Sequence, residues 1–419
     1  MPRRCAVLLS MFAVTAAILA GPGCTTGPRL ASSRADWAQW RGPQRNGVAS
    51  GGPALPATWA KTGPRQLWQS QTISQDVGAG SGGGYGSVVV ADGRAYVFVN
   101  RKQKQGGDGG PVARDVVLAW EAETGRLLWE RQFNGRASHW GTSSTPCIAD
   151  RRCYVVGSSG TTWCLDARDG STIWSAQPSG ATGGVSSSIQ VVADMVILMG
   201  APLTALDADT GQTRWQQPAL DGRDNSTVLW RSGDQDYLIC NDQSSKGVAC
   251  VRAADGKVIW SAVGGGRSTA VIRGDTMVVL TPTMMAAYKL ALDQPHQLWR
   301  NTDVRDRGAS PVIHGDHVYH VGGRGQAACI ELATGKVAWM HEVPDTEITS
   351  PIVADGKIIV AQSWGEKLTM IEPTPEHYRV LAEAKMPLSR AASPAVAGGK
   401  LYVRLKDAVA CYDLANPGS

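Results

Sequence analysis

Only three phenylalanines occur in 419 residues, and charged residues make up just 18% of the chain. A composition so poor in charge excludes a coiled coil and an acidic disordered segment. No two cysteines are adjacent and no C-x-x-C-H occurs, so there is no attachment point for a c-type haem. His and Cys never cluster at metal-ligand spacing, which leaves no zinc site to propose. No Asp-rich loop of suitable spacing offers the six to eight oxygens that calcium takes. Beyond residue 23 no stretch approaches the ~18 consecutive apolar residues needed to span a bilayer. The formal charge of +5 falls to +3 without Arg3 and Arg4, too little for a dedicated nucleic-acid binder. What is abundant is glycine, 49 residues or about 12% against an average near 7%, and tryptophan, with 15 residues. With 43% apolar residues the chain has material for a large core, so the glycines ask for many tight turns.

Internal repetition accounts for both excesses. An apolar strand, a polar turn with glycine, a second apolar run and a tryptophan recur as VLAWEAETGRLLW ending at Trp129, TWCLDARDGSTIW at Trp174 and TALDADTGQTRW at Trp215. ACVRAADGKVIW at Trp260 and ACIELATGKVAW at Trp339 repeat the phrase, and AAYKLALDQPHQLW at Trp299 keeps the tryptophan without the glycine. Spacings of 45, 41, 45, 39 and 40 residues fit a four-stranded propeller blade. The first half of each unit is a hairpin with an Asp-Gly or Gly-Asp type of turn, as in SVVVADGRAYVFV from Ser87 and SPIVADGKIIVA from Ser350. Eight such hairpins start near Ser87, Thr145, Ser188, Thr227, Thr269, Ser310, Ser350 and Ser393. The fourth strand is clear seven times, the seventh as the degenerate YRVL ending at Leu381, and the eighth copy is supplied by PRQLW ending at Trp68. The expected fold is all-β: an eight-bladed β-propeller of four-stranded antiparallel blades, closed by an amino-terminal strand that pairs two otherwise exposed edges. Trp68, Trp129, Trp174, Trp215, Trp260, Trp299 and Trp339 are read as packing between blades, each a wide ring with one N–H to satisfy.

The chain divides into an export signal (1–23), an amino-terminal tether and strap (24–63), the propeller (64–414) and a short tail (415–419). Arg3 and Arg4 followed by an apolar run from Cys5 to Ala20 form the signal pattern. Cys24 directly after it resembles the lipobox cysteine of bacterial lipoproteins, which implies lipidation at Cys24, export to the periplasm and a membrane anchor. An ordinary secretory signal is the alternative.

The repeats resemble the PQQ-type propeller repeat over nearly the whole mature chain, from about Pro64 to Leu414. That family includes quinoprotein dehydrogenases and noncatalytic proteins such as the lipoprotein BamB of the outer-membrane assembly machinery. The opening DWAQWRGPQRNG, Asp36 to Gly47, looks like the leader of a bacterial BamB-like subgroup and is read as a lid or strap packing Trp37 and Trp40 on the ring. The enzyme branch holds its quinone between a tryptophan and a disulfide of adjacent cysteines, with calcium bound by carboxylate and amide oxygens. The chain has no adjacent cysteines, so no cofactor is expected, and PQQ with calcium belongs only to the alternative of a quinoprotein-type oxidoreductase. The resemblance implies a monomeric, noncatalytic scaffold with envelope proteins as partners and no nucleic acid.

Cys164, Cys250, Cys329 and Cys411 share the strand-C place that Ala119 and Ala205 hold elsewhere, so they read as small buried hydrophobes. Cys153 and Cys240 on strand B are set three residues apart in repeat register, hence on opposite faces, leaving at most one bond to a strand-C cysteine of the same blade. The loops that join blades carry the candidate ligand face: Arg223, Arg267, Arg307 and Arg390, each just before a strand A, with His139 and Trp140. An inward ring of guanidinium groups suits an anionic guest or, with Trp140, a carbohydrate. The competing expectation is that Asp224, Asp306, Asp345 and Glu347 neutralise the arginines in surface pairs. No catalytic or metal residues are assigned: His139 beside Ser138 and Ser143 lacks a G-x-S-x-G elbow.

Overall fold

Each hairpin signature opens a four-stranded antiparallel sheet with its strands in the order A to D. The computed structural model describes Met1 and residues 36–416 apart from 75–82, 104–111, 137–141, 181–185, 201, 223, 243–246, 324, 345–347 and 363–365. Among them there are eight blades, spanning 89–135, 147–176, 190–217, 228–263, 271–301, 312–342, 352–385 and 395–413. The eighth takes its strand D from the other end of the chain, where Arg65–Gln69 pairs antiparallel with Val409–Asp413. No helix of the described residues is long and apolar enough to cross a membrane.

Strands A to C of a blade are covered on both faces by the neighbouring blades. Their sequences are therefore near-continuous apolar runs, as at 116–120, where every residue is buried. Strand D lies at the rim and alternates: in Thr172–Ala176 only Trp174 is buried. The seven repeated tryptophans each reach into the next blade. Their indole N–H groups donate to the carbonyls of Ala122, Ala167, Ala208, Ala253, Ala291, Leu332 and Thr374 in turn, at 2.7 to 3.2 Å. In five seams the ring lies flat on the turn glycine of that next blade, where an added Cβ would stand about 2.5–2.6 Å from it (Gly125, Gly170, Gly211, Gly256, Gly335). The repeated glycine thus serves two needs, a φ near +70° and a bare surface for indole. Within its own blade each tryptophan pairs with a small strand-C residue just after a bulge, as Trp174 does with Cys164 and Trp215 with Ala205.

The seven cysteines from Cys147 onward are buried and free. The register expectation for strand B is corrected: Tyr154 pairs with Cys164 and Ile239 with Cys250, so Cys153 and Cys240 sit two positions apart, one on each side of that reference, and share a face. Both look back toward the preceding blade while Cys164 and Cys250 look forward, so neither intra-blade bond forms.

At the inner rim the blades are joined by a closed circle of hydrogen bonds. The amide of Ser87 donates to the Thr145 hydroxyl, Thr145 to Ser188, Ser188 to Ser226, and Ser226 to Thr269. Thr269 donates to Ser310, Ser310 to Ser350, Ser350 to Ser393, and Ser393 back to Ser87, all at 2.9 to 3.1 Å. Every blade contributes one hydroxyl and one amide. The fourth member is Ser226 and not Thr227, whose hydroxyl turns to Gln190.

The leader runs through the channel that this circle surrounds. Trp37 bridges Val90, the Ala38 carbonyl accepts from Ile148, and residues 47–49 pair with Val353, so it touches strand A of blades 1, 2 and 7. Gly42 is glycine because φ is +78° and a Cβ would meet the buried Trp37 ring at 3.0 Å. The chain then leaves past the A–B turn of blade 7, where the Leu55 amide donates to Asp355, and covers the blade's outer strand through a Thr58 bond to the Leu381 carbonyl. Trp59 is buried there in one cluster with Ala382 and Ala384, beside the strand D that carries no tryptophan of its own.

Candidate functional site

The mouth of the channel, on the face of the D-to-A connections, opens into a cavity of about 280 Å³. Its walls are hydroxyls, mostly members of the circle: Ser188, Ser226, Thr269, Ser350 and Ser393. The leader supplies Trp40 to the same lining. The guanidiniums of Arg41 and Arg45 lie against the Trp40 ring, 5.6 and 5.9 Å from its centroid. Both are completely buried. Arg41 donates to the carbonyls of Pro311 (2.5 Å) and Asn46 (3.1 Å). Arg45 donates to those of Ile189 (2.7 Å) and Ser188 (2.9 Å) and to Gln39 Oε1 (3.2 Å). Burial pulls the Arg41 guanidinium down to about 9, helped by the like charge of Arg45, and pulls Arg45 down to about 10. Gly47 closes this loop because a side chain would strike Arg41 Nη2 at 2.7 Å.

Of the arginines read from sequence, the cavity gathers Arg267 and Arg390. Arg267 is paired across blades with Asp224 at 3.1 Å, and Arg390 lies 5.9 Å from the Tyr85 ring at the rim. Arg307 is exposed and lines a separate groove beside Gly264, Gly265 and Gly266, so it is not part of an inward ring. Arg223, His139 and Trp140 lie outside the described residues, as do Asp345, Glu347 and Cys24.

Asp306 is not a surface counter-charge. It is fully buried, its Oδ1 accepts the amides of Gly308 (2.6 Å) and Ala309 (2.7 Å), and its Oδ2 faces His320 Nε2 at 3.3 Å. Burial opposes its ionisation, but the imidazole and the two amides hold the carboxyl below its ordinary value. It braces the loop that brings Gly308 to the cavity. A second buried carboxyl, Asp115, accepts from Asn100 Nδ2 at 2.7 Å, yet burial pushes it up to about 6.

The described lining offers hydroxyl and guanidinium donors and an aromatic surface. Among the described residues no three His, Cys, Asp or Glu side chains come together as a metal would require. Asp224, the carboxylate of the described lining, is engaged by Arg267. Among the described residues this lining holds a tryptophan, Trp40, but no cysteine. Sequence reasoning missed the circle and the role of Trp40. The serine or threonine opening each hairpin was the visible signal for the circle, whereas the leader occurs once and has no repeat to compare.

The family model described as outer membrane protein assembly factor BamB matches residues 57–288 and 244–416. The outer membrane protein assembly factor BamB of Shewanella oneidensis is 25% identical over 239 residues, which is 54% of this chain and 51% of that protein, so the chain spans about half the length of this relative. Among solved structures, BamB from Moraxella catarrhalis has a TM-score of 0.58 at 15% identity, covering 76% of this chain and 97% of its own. The quinohemoprotein alcohol dehydrogenase of Comamonas testosteroni has a TM-score of 0.67 at 13% identity, covering 92% of this chain and 81% of its own, and so shares the fold alone. With the family model covering the ring from its first strand to its last, the chain belongs to the family of outer membrane protein assembly factor BamB and is a PQQ-like, eight-bladed propeller.

Proposed function

We propose that this protein is a noncatalytic interaction scaffold of the bacterial cell envelope, exported to the periplasm, held at a membrane by a lipid on Cys24 and working as a monomer in outer-membrane assembly. The observation that carries this reading is the filled channel. The channel is occupied by the chain's own leader, with Arg41 and Arg45 sealed inside. The surface left for partners is then the loop face and the outer strands. Several strand-D residues there are large, apolar and exposed, among them Leu127, Ile173, Leu298 and Met340. Such a rim suits a partner that adds a strand or lays an apolar face on it.

Crosslinking in the native envelope followed by mass spectrometry tests the reading, with assembly proteins of the outer membrane as the expected captures. The competing reading, a quinoprotein-type oxidoreductase, is tested by adding PQQ and calcium to the purified protein. No thermal shift and no quinone absorbance are expected, and a clear shift overturns the scaffold.

A further inference from the structure

We infer that the seam between blades 1 and 2, on the face of the A–B and C–D turns and so away from the channel mouth, holds a binding site for a phosphate-ester anion. This goes beyond the scaffold reading, and only the choice of a lipid as the source rests on the Cys24 anchor.

The repeat itself marks the place by a reversal of charge. In two seams the basic residue that opens strand B pairs with the acidic residue two before the turn glycine of the next blade. Lys400 of blade 8 meets Glu123 of blade 1, and Arg152 of blade 2 meets Asp209 of blade 3 at 2.6 Å. Arg94 opens strand B of blade 1 in the same register, opposite Ala91 as Arg152 is opposite Ala149 and Lys400 opposite Ala397. The residue two before Gly170 of blade 2 is Arg168. A cation stands where the sister seams place the anion.

The seam is also open, with a cavity of about 570 Å³ lined by Arg94, Arg168 and Arg151 of the blade 2 A–B turn. Arg94 donates to the carbonyl of Asp92 in its own turn at 3.1 Å, and its Nε is buried without an acceptor. Arg168 turns back to Asp166 of its own turn at 3.4 Å. Arg151 has φ +59°, a left-handed position that blades 1, 7 and 8 fill with Gly93, Gly356 and Gly399. Asp92 and Asp150 lie at the exposed tips of the same turns and line the cavity too, but among the described residues neither forms an ion pair with the three arginines. Forked guanidiniums match phosphate oxygens, and a tetrahedral anion takes donors from several sides at once.

The leader points to the source of that phosphate. Ala38 lines the same cavity, and its carbonyl accepts the Ile148 amide there. Asp36 comes twelve residues after Cys24, at most about 40 Å of chain. With the lipid proposed on Cys24, this face lies toward a bilayer, and the guest is the phosphate of an anionic phospholipid headgroup.

Two titrations of the purified protein test the site: calorimetry with inorganic phosphate, and co-sedimentation with phosphatidylglycerol vesicles against phosphatidylcholine vesicles. Phosphate and the phosphatidylglycerol vesicles are expected to bind, more weakly as salt rises. Arg168→Glu gives this seam the ion pair of its sisters, and Arg151→Gly gives the turn the residue of its sisters. Both are expected to melt no lower than the parent and to bind each probe on the order of tenfold more weakly. Lys336→Glu, an exposed residue of the C–D turn of blade 6, makes the same charge change as Arg168→Glu on the same face and is expected to keep the parent's affinity. Binding to the vesicles, with or without free phosphate, supports the headgroup when both variants lose it. Binding confined to inorganic phosphate, lost in the same variants, supports the site and overturns the lipid source. Absence of binding in both titrations, an equal loss in Lys336→Glu, or a folded Arg168→Glu or Arg151→Gly that keeps the parent's affinity overturns the proposal.

Discussion

Replacing Gly335 by alanine probes the packing rule that holds neighbouring blades together. Gly335 has φ +74°, and a Cβ there would stand 2.5 Å from Cδ2 of Trp299, with Cε3 and Cγ at 2.7 Å. Two costs add. The left-handed backbone costs an L-residue about 1–2 kcal/mol. The forced overlap costs about 1–3 kcal/mol more, because indole is rigid and must leave the seam rather than bend. Displacing it also lengthens or breaks the 2.7 Å bond from Trp299 Nε1 to the Leu332 carbonyl, worth about 1 kcal/mol. The sum is about 3–6 kcal/mol. Gly356→Ala is the control, since its φ is +65° with nothing within 4 Å of a Cβ, so the backbone cost of about 1–2 kcal/mol alone remains. Urea unfolding followed by circular dichroism gives both values. The double variant Trp299→Leu with Gly335→Ala is expected to cost less than the sum of its parts, because the clash is gone. Equal losses for Gly335→Ala and Gly356→Ala would refute the reasoning, since the two positions differ only in what lies above them.

Two further outcomes follow from the same geometry. Ser226→Ala removes the acceptor of the Ser188 amide, a buried group with no other outlet, so a loss of about 1–3 kcal/mol is expected, with faster amide exchange at Ser188. Asp115 carries a folded-state value of about 6 against an ordinary 3.8, so its contribution is most favourable below pH 4 and is lost as pH rises through 6. Asp115→Asn, which keeps an oxygen for Asn100, is expected to gain on the parent over that window, by about 3 kcal/mol at pH 8. Melting curves at pH 4 and pH 8 check this, and a gap that does not widen with pH speaks against it.

Repetition made most of the ring legible. Because strands A to C are packed on both faces, a blade can be recognised by its apolar runs, and the Trp–Gly pairing recurs wherever one blade's indole must rest on the next blade's turn. The closing strand at Trp68 was readable for the same reason, being a copy of a motif seen six times elsewhere. Register within a blade was less legible. Cys153 and Cys240 were placed one residue wrong relative to each other because hairpin lengths vary, and a one-residue error flips a side chain to the other face. The channel contents were not readable. Arg41 and Arg45 look like surface charges in a polar segment, and only threading through the ring buries them. Asp306 was read as the partner of an adjacent arginine, whereas its partner, His320, lies on the next strand B of the folded blade.

The eighth blade also sets a clock. Arg65 meets Asp413 across a sequence separation of 348, so the sheet that completes the ring waits for the last strand to be made and delivered. Until then the leader, which comes ahead of Arg65, has no channel to enter. Closing so long a loop is slow, and the edges of Arg65–Gln69 and Val409–Asp413 stay open to other chains for as long as it takes. The leader, made before the ring, is thus among the last segments to be enclosed.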